Sequence, residues 1–235
     1  MRGKLLSLLL ILGLVSCDPQ DLQRVLDTVS QAPLTEVDIS NGLKEALQFG
    51  VDNSVNFLSA EDGFYKSIYK IVLPDEANVV INKLSVIPGF DNLEEELIKR
   101  INRAAEDAAS KAGPIFLDAV RGITFDDAMN ILMGEKNAAT QYLHDKTYTS
   151  LYDTFKPVLV ESLNQLNALD YWADAVNTYN KIPFVDDVNP DLADHINQKA
   201  LYGLFDLIEI KEQGIREDIS QRTTSLLQRV FAEQD

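Results

Sequence analysis

Leu93-Glu94-Glu95-Glu96-Leu97-Ile98-Lys99-Arg100-Ile101-Asn102-Arg103-Ala104-Ala105-Glu106-Asp107-Ala108-Ala109 is the stretch that decides the fold class of this chain. Leu93, Leu97, Ile101, Ala104, Ala105 and Ala108, continued by Ala112, recur three and four residues apart. That spacing lines one face of an α-helix and no face of a strand. The alanines in the second half predict a neighbouring element too close for larger side chains. Upstream, Pro88-Gly89 makes a turn, and Asp91 with Glu94 has the spacing of a capping box, in which side chains satisfy the free N–H groups of a helix start. Downstream, Gly113-Pro114 is expected to interrupt the run.

The helical period continues in both directions. Ser40 can cap a helix whose Leu43, Leu47, Val51, Ser54 and Leu58 form one stripe, with Gly50 allowing a close crossing and Gly63 ending it. Leu73-Pro74-Asp75-Glu76 opens another, with Ala77, Val80, Ile81 and Leu84 inward. Thr124 with Asp127 repeats the capping pattern ahead of Ala128, Ile131 and Leu132, and Gly134 closes that helix. The span 137–167 is the longest helical stretch, with Pro157 expected to kink it. Residues 168–181 form a short aromatic helix, and 182–189 read as a linker. Asn189-Pro190-Asp191 starts a helix carrying Leu192, Ile196, Ala200, Leu204 and Leu207, and a last helix from about Ser220 buries Leu226, Leu227, Val230 and Phe231. Eleven Gly and 8 Pro are few for a chain of hairpins, and 46% hydrophobic with 25% charged residues is ordinary for a packed domain. The expected architecture is all-α, a multi-helix bundle of about eight helices in a single domain over residues 40–235.

The N-terminus carries a different kind of signal. Arg2 and Lys4 precede the apolar run Leu5 to Val15, which is too short for a bilayer span of roughly 20 residues. Leu14-Val15-Ser16-Cys17 closes that run as a bacterial lipoprotein signal does, so residues 1–16 are expected to be cleaved, Cys17 to carry the lipid, and 17–39 to form the lipidated tether. Cys17 is the chain's only cysteine, so an acylated product holds no disulfide, thiolate metal site or cysteine nucleophile. Losing Arg2 and Lys4 leaves 19 basic against 37 acidic residues, a charge of −18. Phosphate backbones repel such a body, which argues against nucleic acid as a partner and leaves membrane attachment to the acyl chains on Cys17. The expected location is the envelope of a bacterium, anchored to a membrane and facing the periplasm, with the choice of membrane left open.

Chemistry-bearing motifs are sparse. The chain has no Gly-x-Ser-x-Gly elbow, no glycine-rich phosphate loop, no His-Glu-x-x-His and no EF-hand spacing, and nothing in it calls for a cofactor. Asp191 and His195 sit one turn apart on a helix starting at Pro190, where they could supply two metal ligands or an oriented base; the plainer reading is a surface pair near a helix start. His144 beside Asp145 is weaker, because adjacent helical residues point apart. Asp126-Asp127 and Glu94-Glu95-Glu96 suit the positive ends of helices, while Asp186-Asp187 with Asp191 and Asp194 is a denser cluster that could bind calcium weakly; the plainer reading is a set of solvated loop acids. Arg103 and Glu106, three apart among alanines, and Arg216 with Arg222 would form a charge network if their helices meet, fixing helix register or receiving an anionic group of a ligand. Tyr142, Tyr148, Tyr152, Tyr171, Trp172 and Tyr179 could line a groove or fill the core.

Several of these residues lie in motifs that resemble a known family. Asn102-Arg103-Ala104-Ala105-Glu106, Ala138-Ala139-Thr140-Gln141-Tyr142 with Thr147, Leu151, Phe155 and Pro157, Ala200-Leu201-Tyr202-Gly203-Leu204-Phe205, Ile215-Arg216, Arg222-Thr223-Thr224, Leu226-Leu227 and Val230-Phe231 resemble the bacterial proteins grouped as domain of unknown function 4197 (DUF4197). The likeness runs from about Gly42 to Phe231. It departs at Glu217-Asp218-Ile219-Ser220-Gln221, where a proline would be expected, and at His195-Ile196-Asn197, which replaces a Tyr-Val-Thr-like stretch. The resemblance implies an exported helical protein, often a lipoprotein, and no catalytic residues. Together these features point to a non-catalytic binding or assembly module of the cell envelope, with an envelope protein or an apolar ligand as partner. The other classes are a carrier or sensor of an apolar or lipid-like ligand, which needs an open interhelical cavity, and a hydrolase or metal-dependent enzyme built on Asp191, His195 and a nearby carboxylate.

Overall fold

The computed structural model describes residues 33–84, 92–165, 167–186, 188 and 192–232, apart from the side chains of Asp75 and Glu76. Among them, the regular structure is entirely helical: α1 (Glu36–Ser59), α2 (Asp75–Leu84), α3 (Leu93–Ala109), α4 (Ala112–Arg121), α5 (Phe125–Leu132), α6 (Ala138–Gln165), α7 (Ala168–Tyr179), α8 (Ala193–Glu217), a 3₁₀ turn (Ile219–Gln221) and α9 (Ser225–Phe231). The four longest, α1, α3, α6 and α8, pack on one another, α6 against α8 most extensively. On one side α4, α5 and α9 cover α1; elsewhere α7 joins α2 to α6.

The apolar stripes read from the sequence are the buried faces, except that in α9 Leu227, Val230 and Phe231 are buried while Leu226 is only half-buried. Leu43, Leu47, Val51, Ser54 and Leu58 of α1 are buried, as are Ala77, Val80, Ile81 and Leu84 of α2 and Leu192, Ile196, Ala200, Leu204 and Leu207 at and within α8. Ala104, Ala105, Ala108, Ala109 and Ala112 are fully excluded from solvent, which is the close approach their small size implies. Gly42 shows the same requirement on α1: a Cβ there would lie 2.6 Å from Val230 Cγ2, so α9 can seat only on a bare backbone.

Several boundaries differ from expectation, each for a local reason. α1 starts at Glu36 because Thr35 and Asp38 form a reciprocal capping box, which leaves Ser40 inside the helix. The break after α3 falls at Ser110 and Lys111 and not at Gly113-Pro114, which lie in the first turn of α4. Pro114 cannot donate to the carbonyl four residues back, so the helix must stop upstream of it, while a first turn needs no such bond. Asn92 precedes α3 without a side-chain cap, and Asp91 lies outside the described residues. α6 runs through Pro157, and the final helix begins at Ser225, capped by the Thr224 hydroxyl, with the 3₁₀ turn taking up the residues before it.

The Thr124–Asp127 box on α5 forms as read: Asp127 N–H donates to Thr124 Oγ1 at 3.1 Å and Thr124 N–H to Asp127 Oδ2 at 3.0 Å. Thr124→Ala should cost about 1 kcal/mol in urea unfolding. The Thr124 backbone N–H, then its hydroxyl, hold the Asp127 carboxyl below its ordinary value. A depressed folded-state value means this contribution is complete above the unfolded value of 3.8 and fades as pH falls through the lower folded one. Asp127→Asn should therefore be less stable than the native chain at about pH 6 and converge with it near pH 2.

Candidate functional site

The four charged residues picked out from the sequence belong to two separate constellations: Glu106, Arg216 and Arg222 bind the protein's own backbone, and Arg103 binds carboxylates. In the first, α3 holds the irregular segment between α1 and α2. Glu106 Oε1 accepts the Phe64 and Tyr65 N–H groups, both at 3.2 Å, and its Oε2 pairs with Arg103 at 2.6 Å. Arg103 reaches on to Asp62 at 2.6 Å and Glu61 at 3.3 Å. Asp62 sits in the left-handed backbone region at φ 69°, and hydrogen bonds from Lys66 and then Arg103 hold its carboxyl below the usual range. Asn102 completes the attachment. Its amide oxygen accepts Ile71 N–H and its amide nitrogen donates to Ile71 C=O, both at 2.8 Å, as a neighbouring strand would. The Asn102-Arg103-Ala104-Ala105-Glu106 run thus staples a loop that has no secondary structure of its own to satisfy it.

The second constellation caps three helices from α8. Glu212 and Arg216 lie one turn apart, both buried, with Arg216 Nε 3.0 Å from Glu212 Oε1. Glu212 accepts Ala139 N–H at 2.9 Å and, through Oε2, the Thr140 N–H and hydroxyl at 2.7 and 2.8 Å. These are free donors at the start of α6, where the helix dipole favours an anion. Arg216 donates to the Leu132 and Ile131 carbonyls at 3.2 and 2.8 Å, at the end of α5, where the dipole favours a cation. Arg222, 2% exposed, donates to the Ile215 and Arg216 carbonyls at 3.0 and 2.8 Å, closing the end of α8, and lies over the Phe231 ring. Sequence reasoning found Arg216 and Arg222 and missed Glu212, whose only signal was its place one turn before Arg216.

His195 Nε2 lies 3.0 Å from Val72 C=O, so that nitrogen carries the hydrogen and the ring ties α8 to the loop ahead of α2. Its suggested partner Asp191 lies outside the described residues, as does Asp187; Asp194 instead accepts from the Tyr152 hydroxyl and, at 2.9 Å, from Gln198. Among the described residues no three His, Cys, Asp or Glu side chains converge as metal ligands would. Trp172 and Tyr179 are core residues, with the Trp172 ring N–H buried and without a hydrogen-bond partner among the described residues.

The aromatic set divides at α6, where part of it faces an open groove against α8. Its floor is Phe205, buried edge-on against Phe116 with ring centres 5.6 Å apart. His144 lies 4.8 Å from Tyr148 and 5.0 Å from Phe205, and Tyr148 stacks at 6.3 Å on Tyr152. The groove holds about 450 Å³, and Tyr202 on its far side is 67% exposed. Its polar side chains come from both helices: Asn137 and Gln141 on the α6 side, Gln198, Lys199, Asp206 and Glu209 on α8. Asp206 is oriented by the Tyr69 hydroxyl at 3.0 Å, and burial, then this hydrogen bond, raises the Tyr69 phenol far above its ordinary value. Lys199 Nζ, the Tyr202 hydroxyl and the Asn137 side chain have no hydrogen-bond partner among the described residues. By contrast, the apolar space between α1 and α8, lined by Leu43, Leu47, Gly50, Ile208, Ile215 and Phe231, amounts to about 20 Å³, room for one water.

The fold and its capping scheme define a class, an all-helical single-domain bundle whose interior charges are consumed by helix ends and by the loop between α1 and α2. Residues 33–232 match the family described as "Protein of unknown function (DUF4197)", and the chain belongs to that family. No curated protein and no solved structure matches it. Among the described residues no helix is long and apolar enough to cross a membrane; the Leu5 to Val15 run and Cys17 lie outside them.

Proposed function

We propose that this chain is a lipid-anchored binding module of a bacterial cell envelope, held by acyl chains on Cys17, facing the periplasm, and taking up its ligand or partner in the α6–α8 groove without turning it over. The observation that carries the binding half is the contrast between spent and available polar groups. Arg103, Glu106, Glu212, Arg216 and Arg222 are occupied by backbone and by one another. Lys199, Tyr202 and Asn137 instead stand at an open, aromatic-floored groove. Its volume lies within the roughly 300–1,000 Å³ of small-molecule sites, whereas the interior apolar space is too small for an acyl chain.

The anchoring half rests on Arg2, Lys4, the Leu5 to Val15 run and Cys17. Two or three acyl chains, at about 0.8 kcal/mol per buried methylene, hold a protein of charge −18 that anionic headgroups would repel. Fractionation tests it: the native chain should sediment with membranes and begin at a diacylglyceryl Cys17 by mass spectrometry, and Cys17→Ser should move it to the soluble fraction. A cytosolic product with an intact Met1 or an unmodified Cys17 would overturn this reading. Mass spectrometry of proteins and small molecules that purify with the native form tests the binding half.

A further inference from the structure

We infer that the α6–α8 groove recognises a saccharide, one whose sugar ring stacks on Tyr202 and the His144–Tyr148 edge while its hydroxyls bond the polar rim. The inference rests on the reading of this groove as a binding surface and adds the chemical class of ligand. The groove's charges decide between ligand types. An organic cation would suit the aromatic floor and the Asp206 and Glu209 carboxylates, but Lys199 shares the same rim and has no carboxylate paired with it among the described residues. An anion would suit Lys199, but it would meet those two carboxylates and a chain of net charge −16. A purely apolar ligand would strip water from amides, carboxylates and an ammonium without replacing their hydrogen bonds. A near-neutral ligand that both donates and accepts matches a rim holding both kinds of group: Lys199 and Asn137 can donate, and Asp206 and Glu209, each with a carboxylate oxygen beyond the one that holds Tyr69 or Gln213, can accept.

The aromatic residues supply the other half of the recognition. A sugar ring presents hydroxyls around its edge and an apolar C–H face, and that face packs on an aromatic ring as another apolar group would. Tyr202 is available for this, with two-thirds of its surface exposed and its hydroxyl unpartnered among the described residues. It is also held in place: its neighbour Gly203 has no side chain because Phe64 and Tyr69 lie within 3.2 Å of where a Cβ would stand. The loop stapled by Asn102 and Glu106 therefore backs the groove wall, and its Tyr69 also orients Asp206.

Titration of the full chain in detergent with the trisaccharides of N-acetylglucosamine and of glucose, followed by calorimetry and saturation-transfer NMR, tests this. At least one should bind, and Tyr202→Ala should weaken it about three- to tenfold, the loss of one aromatic contact. Tyr202 is outside the core, so the unfolding midpoint should not move; Lys199→Met, a second exposed change, should also weaken binding. The inference falls if neither sugar binds up to about 10 mM, or if binding is indifferent to both variants. If neither sugar binds but a basic peptide or a fatty acid does, and Tyr202→Ala weakens it, the saccharide is overturned while the groove stands as a binding surface. If no ligand responds to either variant, both fall. Membrane release by Cys17→Ser is independent of all these outcomes.

Discussion

Glu212→Ala should lower the unfolding free energy by about 3–5 kcal/mol, because it leaves the Arg216 guanidinium buried without its counter-charge. The same truncation strips the buried Ala139 and Thr140 N–H groups at the start of α6 of their carboxylate acceptor. The damage is thus to a junction. One carboxylate and one guanidinium on α8 hold the end of α5 and the start of α6 against each other, and both ends loosen together. Urea unfolding measures the loss, and hydrogen exchange should place it by faster exchange at Ala139 and Thr140. Glu212→Gln keeps the shape and one acceptor and should cost less. The double variant Glu212→Ala/Arg216→Ala should cost less than the sum of the single changes, as coupled partners do. A loss below about 1 kcal/mol for Glu212→Ala would mean that water replaces the carboxylate and that the pair contributes little net stability.

Asn102→Ala should cost about 2–4 kcal/mol, since Ile71 is 2% exposed and both its N–H and its C=O would lose their only amide partner. The loss should be local. Ile71 N–H exchange should accelerate strongly, the amides of α6 far less, and the far-ultraviolet helical signal should hardly change. Because Tyr69 lies two residues from Ile71 and orients Asp206, the groove should lose some of its shape without any change to a groove residue. Asn102→Asp, which turns a carboxylate oxygen toward the Ile71 and Ile98 carbonyls in a fully buried site, should cost at least as much as Asn102→Ala. Equal exchange rates across the whole chain would instead place Asn102 in the global core.

These two residues also mark how far the sequence could be read. Asn102 and Glu106 stood in a quoted motif, yet their spacing on α3 says only which face they share. What they bind, the 61–71 loop, is about thirty to forty residues away and carries no periodicity to announce it. Glu212 was harder still, because a helix start is normally capped by the residue just before it, and α6 takes its cap from 72 residues downstream. The groove was partly legible. Tyr148 and Tyr152 stand at helical spacing in the sequence, but Lys199, Tyr202 and Asp206 line one groove with Tyr148 only because α8 packs along α6.

The sequence by itself determined the helical class, the buried stripes, the α5 capping box and family membership, since each depends on residues within a few turns of one another. The segment Arg2 to Cys17, on which the proposed lipid anchor rests, is equally local. The tertiary structure alone decided which charges are consumed and which stand open, because a hydrogen bond between distant segments leaves no local spacing in the chain. Helical periodicity reports which face is buried, and only packing chooses the neighbour that face meets.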